Sequence, residues 1–177
     1  MLHADDHFSE AVARRVAEIE AKTDAEVVVV ASERSGSYRD VSMVLGALAS
    51  LGAFTLLLLL PWHVHPVLAV VDLGATFALV TWVAEGAALP VRLAGAARRR
   101  RQVHEAAAAT FHLDAVHATP HRLGLLVYVS AKEGQVELVP DLGLEVEVPT
   151  DAWSTLAASL DATELDRFLV GLDAIGE

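Results

Sequence analysis

VSMVLGALASLGAFTLLLLL (residues 41–60), PWHVHP (61–66) and VLAVVDLGATFALVTWVA (67–84) decide how this chain is read. The first run has no formal charge. At 1.5 Å per residue, twenty residues make about 30 Å of helix, the thickness of a bilayer core. The second run carries a single charge, Asp72, and the link between them holds two prolines, Trp62 and no Lys or Arg. The pattern predicts a two-helix hairpin with spans at about 41–60 and 67–85, and Trp62 and Trp82 near opposite interfaces. A soluble protein hiding two helices that are apolar on all sides would need a large surrounding core, and about 130 remaining residues do not supply one.

The flanks give an orientation. Arg34 and Arg39 precede the first run; Arg92 and Arg98 to Arg101 follow the second. The positive-inside rule then predicts a multi-pass protein of two spans with both termini cytoplasmic and the 61–66 link outside. The four-arginine run reads as a topology lock against anionic lipid.

Composition agrees with this division. Apolar residues make up 54% of 177, yet 21% are charged and the net charge is −11. A mean hydropathy of +0.43 beside that charge means grease and charge occupy different places. Such a chain is not a disordered one. Nor is it a nucleic-acid binder that works by net positive charge, so no nucleic-acid partner is expected. With no cysteine, disulfide scaffolds, thiolate zinc sites and thiol nucleophiles are excluded.

Outside the hairpin, Phe8, Val12, Val16 and Ile19 recur at helical spacing, and 25–31 (AEVVVVA) reads as a strand covered on both faces. Residues 32–40 read as a linker. After the hairpin, 98–111 reads as a helix broken at Thr119-Pro120, 123–130 (LGLLVYVS) as a second buried strand, and 136–139 as a half-exposed strand returning from a Lys132–Gly134 turn. Thr150 is expected to cap a helix carrying Trp153, Leu156 and Leu160. Asp161 and Glu164 form a capping-box pair for a helix carrying Leu165, Phe168, Leu169 and Leu172. Each piece alone is too small to bury its apolar faces. The expected fold is therefore α/β: one sandwich in two parts, 1–40 and 92–177, interrupted by a membrane hairpin at 41–91.

These stretches line up with one family. Residues 18–30 (EIEAKTDAEVVVV) resemble the "EAKTxAEIVVV" opening of TPM-domain proteins. Phe111-His112, Thr119 and 122–130 (RLGLLVYVS) resemble that family's "F…T…RTGVLIFVS" block. Glu133 and 136–144 (VELVPDLGL) resemble its "ERRVEVIADRGI", followed by a helix with Trp153. Leu123 stands where the family usually has Thr, and Gly134-Gln135 where it has paired arginines. The likeness covers nearly all of the non-hairpin sequence and is nearest to a bacterial inner-membrane branch with a helical hairpin inserted at this point. It implies an α/β/α sandwich. For some members it implies roles in assembly, repair or quality control of membrane complexes, and for plant members a proposed phosphatase activity.

The chemistry-bearing residues are few. Ser130 ends a strand near His104, His112, His117 and His121, but no G-x-S-x-G elbow surrounds it, and it reads as a strand-end hydroxyl. No glycine-rich phosphate loop is present. His112, His117 and His121 are weighed as a metal set, as is His63-Val64-His65 in the link, against ordinary surface histidines. Residues 131–177 hold eleven carboxylates against Lys132 and Arg167, a local net of −9. Asp141, Glu145, Glu147 and Asp151, expected in and around a loop, are the candidate ligands for Ca²⁺ or Mg²⁺, with Glu145/Glu147 alternating as an exposed strand edge would. No catalytic residue is assigned. Three functions follow: an anchored interaction module with a membrane or cytoplasmic protein partner on its acidic face, a weak metal-assisted phosphatase using the acidic loop, and an ion or proton path through Asp72. A path would need a facing polar group, and the first span offers Ser42, Ser50 and Thr55.

Overall fold

The computed structural model describes residues 6–59, 61, 65–119, 121–162 and 164–175, without the side chains of Asp6, Glu147, Thr150, Asp151 and Ser154. Trp62, His63 and Val64 lie outside the described residues, as does Pro120. The chain divides into two compact units, one formed by 1–36 with 97–177 and the other by 37–96. These borders fall a few residues outside those expected from composition.

The first unit is mixed helix and strand. α1 (Asp6–Glu20) leads into β1 (Glu26–Ser32); after the second unit come α5 (Ala96–Leu113), a 3-10 turn (Val116–Ala118), β2 (Gly124–Ser130), β3 (Gln135–Pro140), α6 (Leu142–Glu147), α7 (Thr150–Ser159) and α8 (Leu165–Asp173). The sheet order is β1-β2-β3. β1 runs parallel to β2, with Val29 opposite Val127, and β3 returns antiparallel, with Leu138 opposite Val127. The β2–β3 turn closes through Gly134, whose φ of 62° suits a residue without a Cβ.

Period-two alternation decides which helix each strand residue meets. Leu125, Val127 and Val129 of β2 join Phe8, Val12 and Ile19 of α1 and Phe168 and Leu172 of α8 in one core. Leu126 and Tyr128 join Val103, Ala107 and Phe111 of α5 in a second core on the other face. β2 is buried along its whole length because it has a strand on each side and helices above and below.

Four local expectations are corrected. The helix through 98–111 ends at Leu113, before Thr119, where Ala115 turns left-handed with φ 54°. The acidic stretch after β3 is not a loop with a strand-like edge but the short helix α6. Asp141 caps it by accepting the Leu142 N–H at 2.8 Å. Pro149, not Thr150, is the cap residue of α7. Glu164 is itself the cap residue of α8 and makes no side-chain capping bond; Arg167 instead pairs with both Asp161 and Glu164.

The second unit holds α2 (Arg39–Leu59), α3 (Pro66–Gly86) and a short α4 (Leu89–Leu93) that the sequence reading did not include. α2 and α3 are each long and apolar enough to cross a membrane. The buried residues of α2 are Ser42, Gly46 and Ser50, spaced four apart on one face. A Cβ on Gly46 would run into Thr81 Oγ1 and lie 2.9 Å from the Phe77 carbonyl oxygen, so the two helices approach there at backbone distance. One turn on, Ser50 Oγ donates to the Leu73 carbonyl at 2.8 Å. At the far end Arg39 and Glu85 pair at 3.2 Å.

Candidate functional site

Three places in the first unit gather polar side chains. At the end of β2, Ser130 Oγ donates to Glu133 Oε2 at 2.6 Å, and Ser35 Oγ lies 2.6 Å from Ser130 Oγ and 3.2 Å from Tyr128 OH. The Glu133 carboxylate also accepts the backbone N–H groups of Ser35 and Gly36 at 3.3 Å. Ser130 is fully buried and Glu133 is 6% exposed. A buried carboxylate is costly unless its oxygens are hydrogen-bonded, and here they are. The cluster fastens residues 35–36 onto the sheet, so the stretch expected as a linker is tied down. A hydroxyl so enclosed offers no line of attack on a substrate.

At the opposite end of β2, Asp141 is 2% exposed and holds the Arg122 guanidinium through contacts of 3.2–3.3 Å. Burial pushes the Asp141 carboxyl upward, but the Leu142 N–H, the Arg122 hydrogen bond and charge, and the His117 charge outweigh it and hold the carboxyl below its ordinary value. Arg122 itself adopts φ 57°, a left-handed conformation that costs a non-glycine residue roughly 1–2 kcal/mol.

Of the four acids expected as a metal set, Asp141 and Glu145 lie on successive turns, joined by the Glu145 N–H to Asp141 C=O bond at 3.1 Å. Asp141 faces Arg122, however, and Glu145 is exposed. Glu147 ends α6 and Asp151 lies in the first turn of α7, and their side chains lie outside the described residues. His112 and His117 stack edge-to-face at 5.4 Å, His121 is exposed, and His65 accepts the Val67 N–H at the start of α3. Among the described residues no three His, Asp or Glu groups are placed to hold a metal ion. The acid-rich segment is not one undivided face either. Glu137 pairs with His104, Asp141 with Arg122, Asp161 and Glu164 with Arg167, and Asp173 with Arg15.

The third place is a groove of about 790 Å³ along β3, which the sequence reading missed. One wall is Arg100, Arg101 and His104 of α5; the other is Trp153 and Ala157 of α7 with Leu160. The Trp153 Nε1–H is buried with no acceptor among the described residues. No single segment encodes this groove, since its walls lie some fifty residues apart.

In the second unit, Asp72 is half-buried on α3. The three hydroxyls the first span offers are engaged elsewhere: Ser42 approaches the Tyr38 carbonyl, Ser50 bonds the Leu73 carbonyl and Thr55 the Leu51 carbonyl.

Compared with protein-family models, curated proteins and solved structures, the chain matches none.

Proposed function

We propose that the chain is a membrane-anchored interaction module: a TPM-like α/β/α sandwich, held by a transmembrane hairpin, that serves as an accessory to a membrane protein complex. The observation that carries this reading is the inverted burial of α2. Its buried positions are Ser42, Gly46 and Ser50, while Leu48, Leu51 and Leu58 stand exposed. Helices that associate in lipid use small residues at the seam, because their outer surfaces have nothing to gain from hiding leucine. The arginines at 34, 39, 92 and 98–101 support cytoplasmic termini. The engagement of Asp141 by Arg122 and the enclosure of Ser130 support binding over turnover.

The native absence of cysteine makes the test clean. The full chain should remain with membranes after alkaline extraction. Pro61→Cys should react with an impermeant maleimide on intact cells, and Ser159→Cys only after permeabilisation. Release by alkali, or the reverse labelling pattern, overturns the anchoring or its orientation. Metal-dependent hydrolysis of a phosphomonoester by the full chain, abolished in Asp141→Asn, overturns the non-enzymatic reading.

A further inference from the structure

β3 is an edge strand, and its free side faces the groove. The Asp141 N–H donates to Gly124 C=O at 2.8 Å, continuing the β2–β3 register by one pair. In an antiparallel ladder hydrogen-bonded pairs alternate with unbonded ones. Val139, Glu137 and Gln135 therefore bond β2, and the N–H and C=O of Val136 and Leu138 turn to the open edge. Neither residue has a further backbone partner among the described residues. Pro140, the next residue on that open edge, has no N–H and so ends the row of free donors there.

The walls differ in character. Odd-numbered β3 residues lean towards α5, where Glu137 meets His104 at 2.8 Å and Val139 joins the α5 core. Even-numbered ones, Val136 and Leu138, share the opposite core with Trp153. A strand added at this edge would pleat in step with β3. Every second residue would then face Arg100 and Arg101, and the intervening ones would face Trp153, Ala157 and Leu160. On a chain of net charge −11 the α5 wall still carries more arginine than acid: Arg101 reaches Glu105 at 3.6 Å and His104 takes Glu137, while Arg100 stands exposed beside them.

We propose that the β3 edge groove binds an extended peptide segment of a partner protein by strand addition, with acidic and apolar residues alternating along that segment. Main-chain bonds at Val136 and Leu138 supply registry, and the two walls supply selection. This rests on the interaction-module reading and names the partner's chemistry.

The probe is a fluorescein-labelled hexapeptide of alternating valine and glutamate, titrated by anisotropy against the full chain in nanodiscs. It should bind at least about tenfold more tightly than a block peptide of three valines and three glutamates. N-methylation of one alternate set of its amides should abolish binding, and of the other set should spare it. Arg100→Glu with Arg101→Glu should lose the valine–glutamate peptide and gain a valine–lysine one, a switch that a misfolded variant cannot make. Equal binding of the block peptide, tolerance of both N-methylated sets, or no switch overturns the proposal. So does a peptide-blocking cross-link between copies at Leu138→Cys, which gives the edge to a second copy. Any of these failures in protein that still resists alkaline extraction removes the groove and leaves the anchoring intact.

Discussion

In β2, Leu125, Leu126 and Val127 are at most 1% exposed, while in α2 Leu48, Leu51 and Leu58 are between 59% and 70% exposed. The two segments draw on the same residue types. In β2 the large side chains go inward to α1, α8 and α5; in α2 what goes inward is serine and glycine. Water enforces the first arrangement, since each buried leucine or valine is worth roughly 1.5–3 kcal/mol relative to exposure. That gain vanishes where the surroundings are themselves hydrocarbon, and close backbone contact and hydrogen bonds then decide what the seam contains. Burial sorted by size instead of polarity is what the proposed membrane placement of α2 calls for.

The comparison can be broken at either side. The three tryptophans allow the units to be followed separately: Trp153 alone in a Trp62→Phe/Trp82→Phe background, Trp82 alone in a Trp62→Phe/Trp153→Phe background. The largest effect is expected for Phe168→Ala, a fully buried ring of α8 packed against Phe8 of α1 in the core. It should cost about 3–5 kcal/mol in urea titrations read through Trp153. Gly46→Val should come next, lowering hairpin stability by about 1–3 kcal/mol as read through Trp82, because the new side chain meets Thr81 and the Phe77 carbonyl. No loss there would put the seam elsewhere than Ser42, Gly46 and Ser50.

A smaller effect separates the units by pH. Asp141 is held below its ordinary value of 3.8 in the folded state. Its contribution to stability is therefore present above that value and is lost as pH falls through the lower folded value. Asp141→Asn should flatten the acid limb of the Trp153 titration and leave the Trp82 signal unchanged; an unchanged acid limb would remove Asp141 from the acid response. The smallest effect is expected for Leu58→Ala, within about 0.5 kcal/mol in detergent or lipid. A cost rivalling that of Phe168→Ala would mean that protein covers the outer face of α2, and the contrast with β2 would collapse.

Much of the architecture was legible because it is written in local period. The α1 stripe of Phe8, Val12, Val16 and Ile19, the runs of β1 and β2, and the two long apolar helices all lie within a few residues of where the pattern puts them. The misreadings share a cause. LGLEVE alternates like a strand, but the Asp141 cap and the Gly143 N–H to Arg122 C=O bond turn it into a helix. The Ser35–Ser130–Glu133 cluster joins residues some hundred positions apart, and β3's groove needs α5 and α7 together; neither spacing exists in one dimension. The four-residue interval of Ser42, Gly46 and Ser50 is visible in one dimension, but a serine in an apolar run points equally to a polar partner such as Asp72 and to a packing face, and only the approach of α3 tells them apart.

The parallel pairing of β1 with β2 has a consequence for the newborn chain. β1 leaves the ribosome nearly a hundred residues before its neighbour, and at roughly 5–20 residues per second that is an interval of about 5–20 s. During it EVVVVAS has α1 for company but no ladder to join, and both long helices are made before that ladder exists. A four-valine strand with bare edges is a template for edge-to-edge aggregation. In the newborn chain that strand waits for its partner until β2, about forty residues beyond the end of α3, has been made.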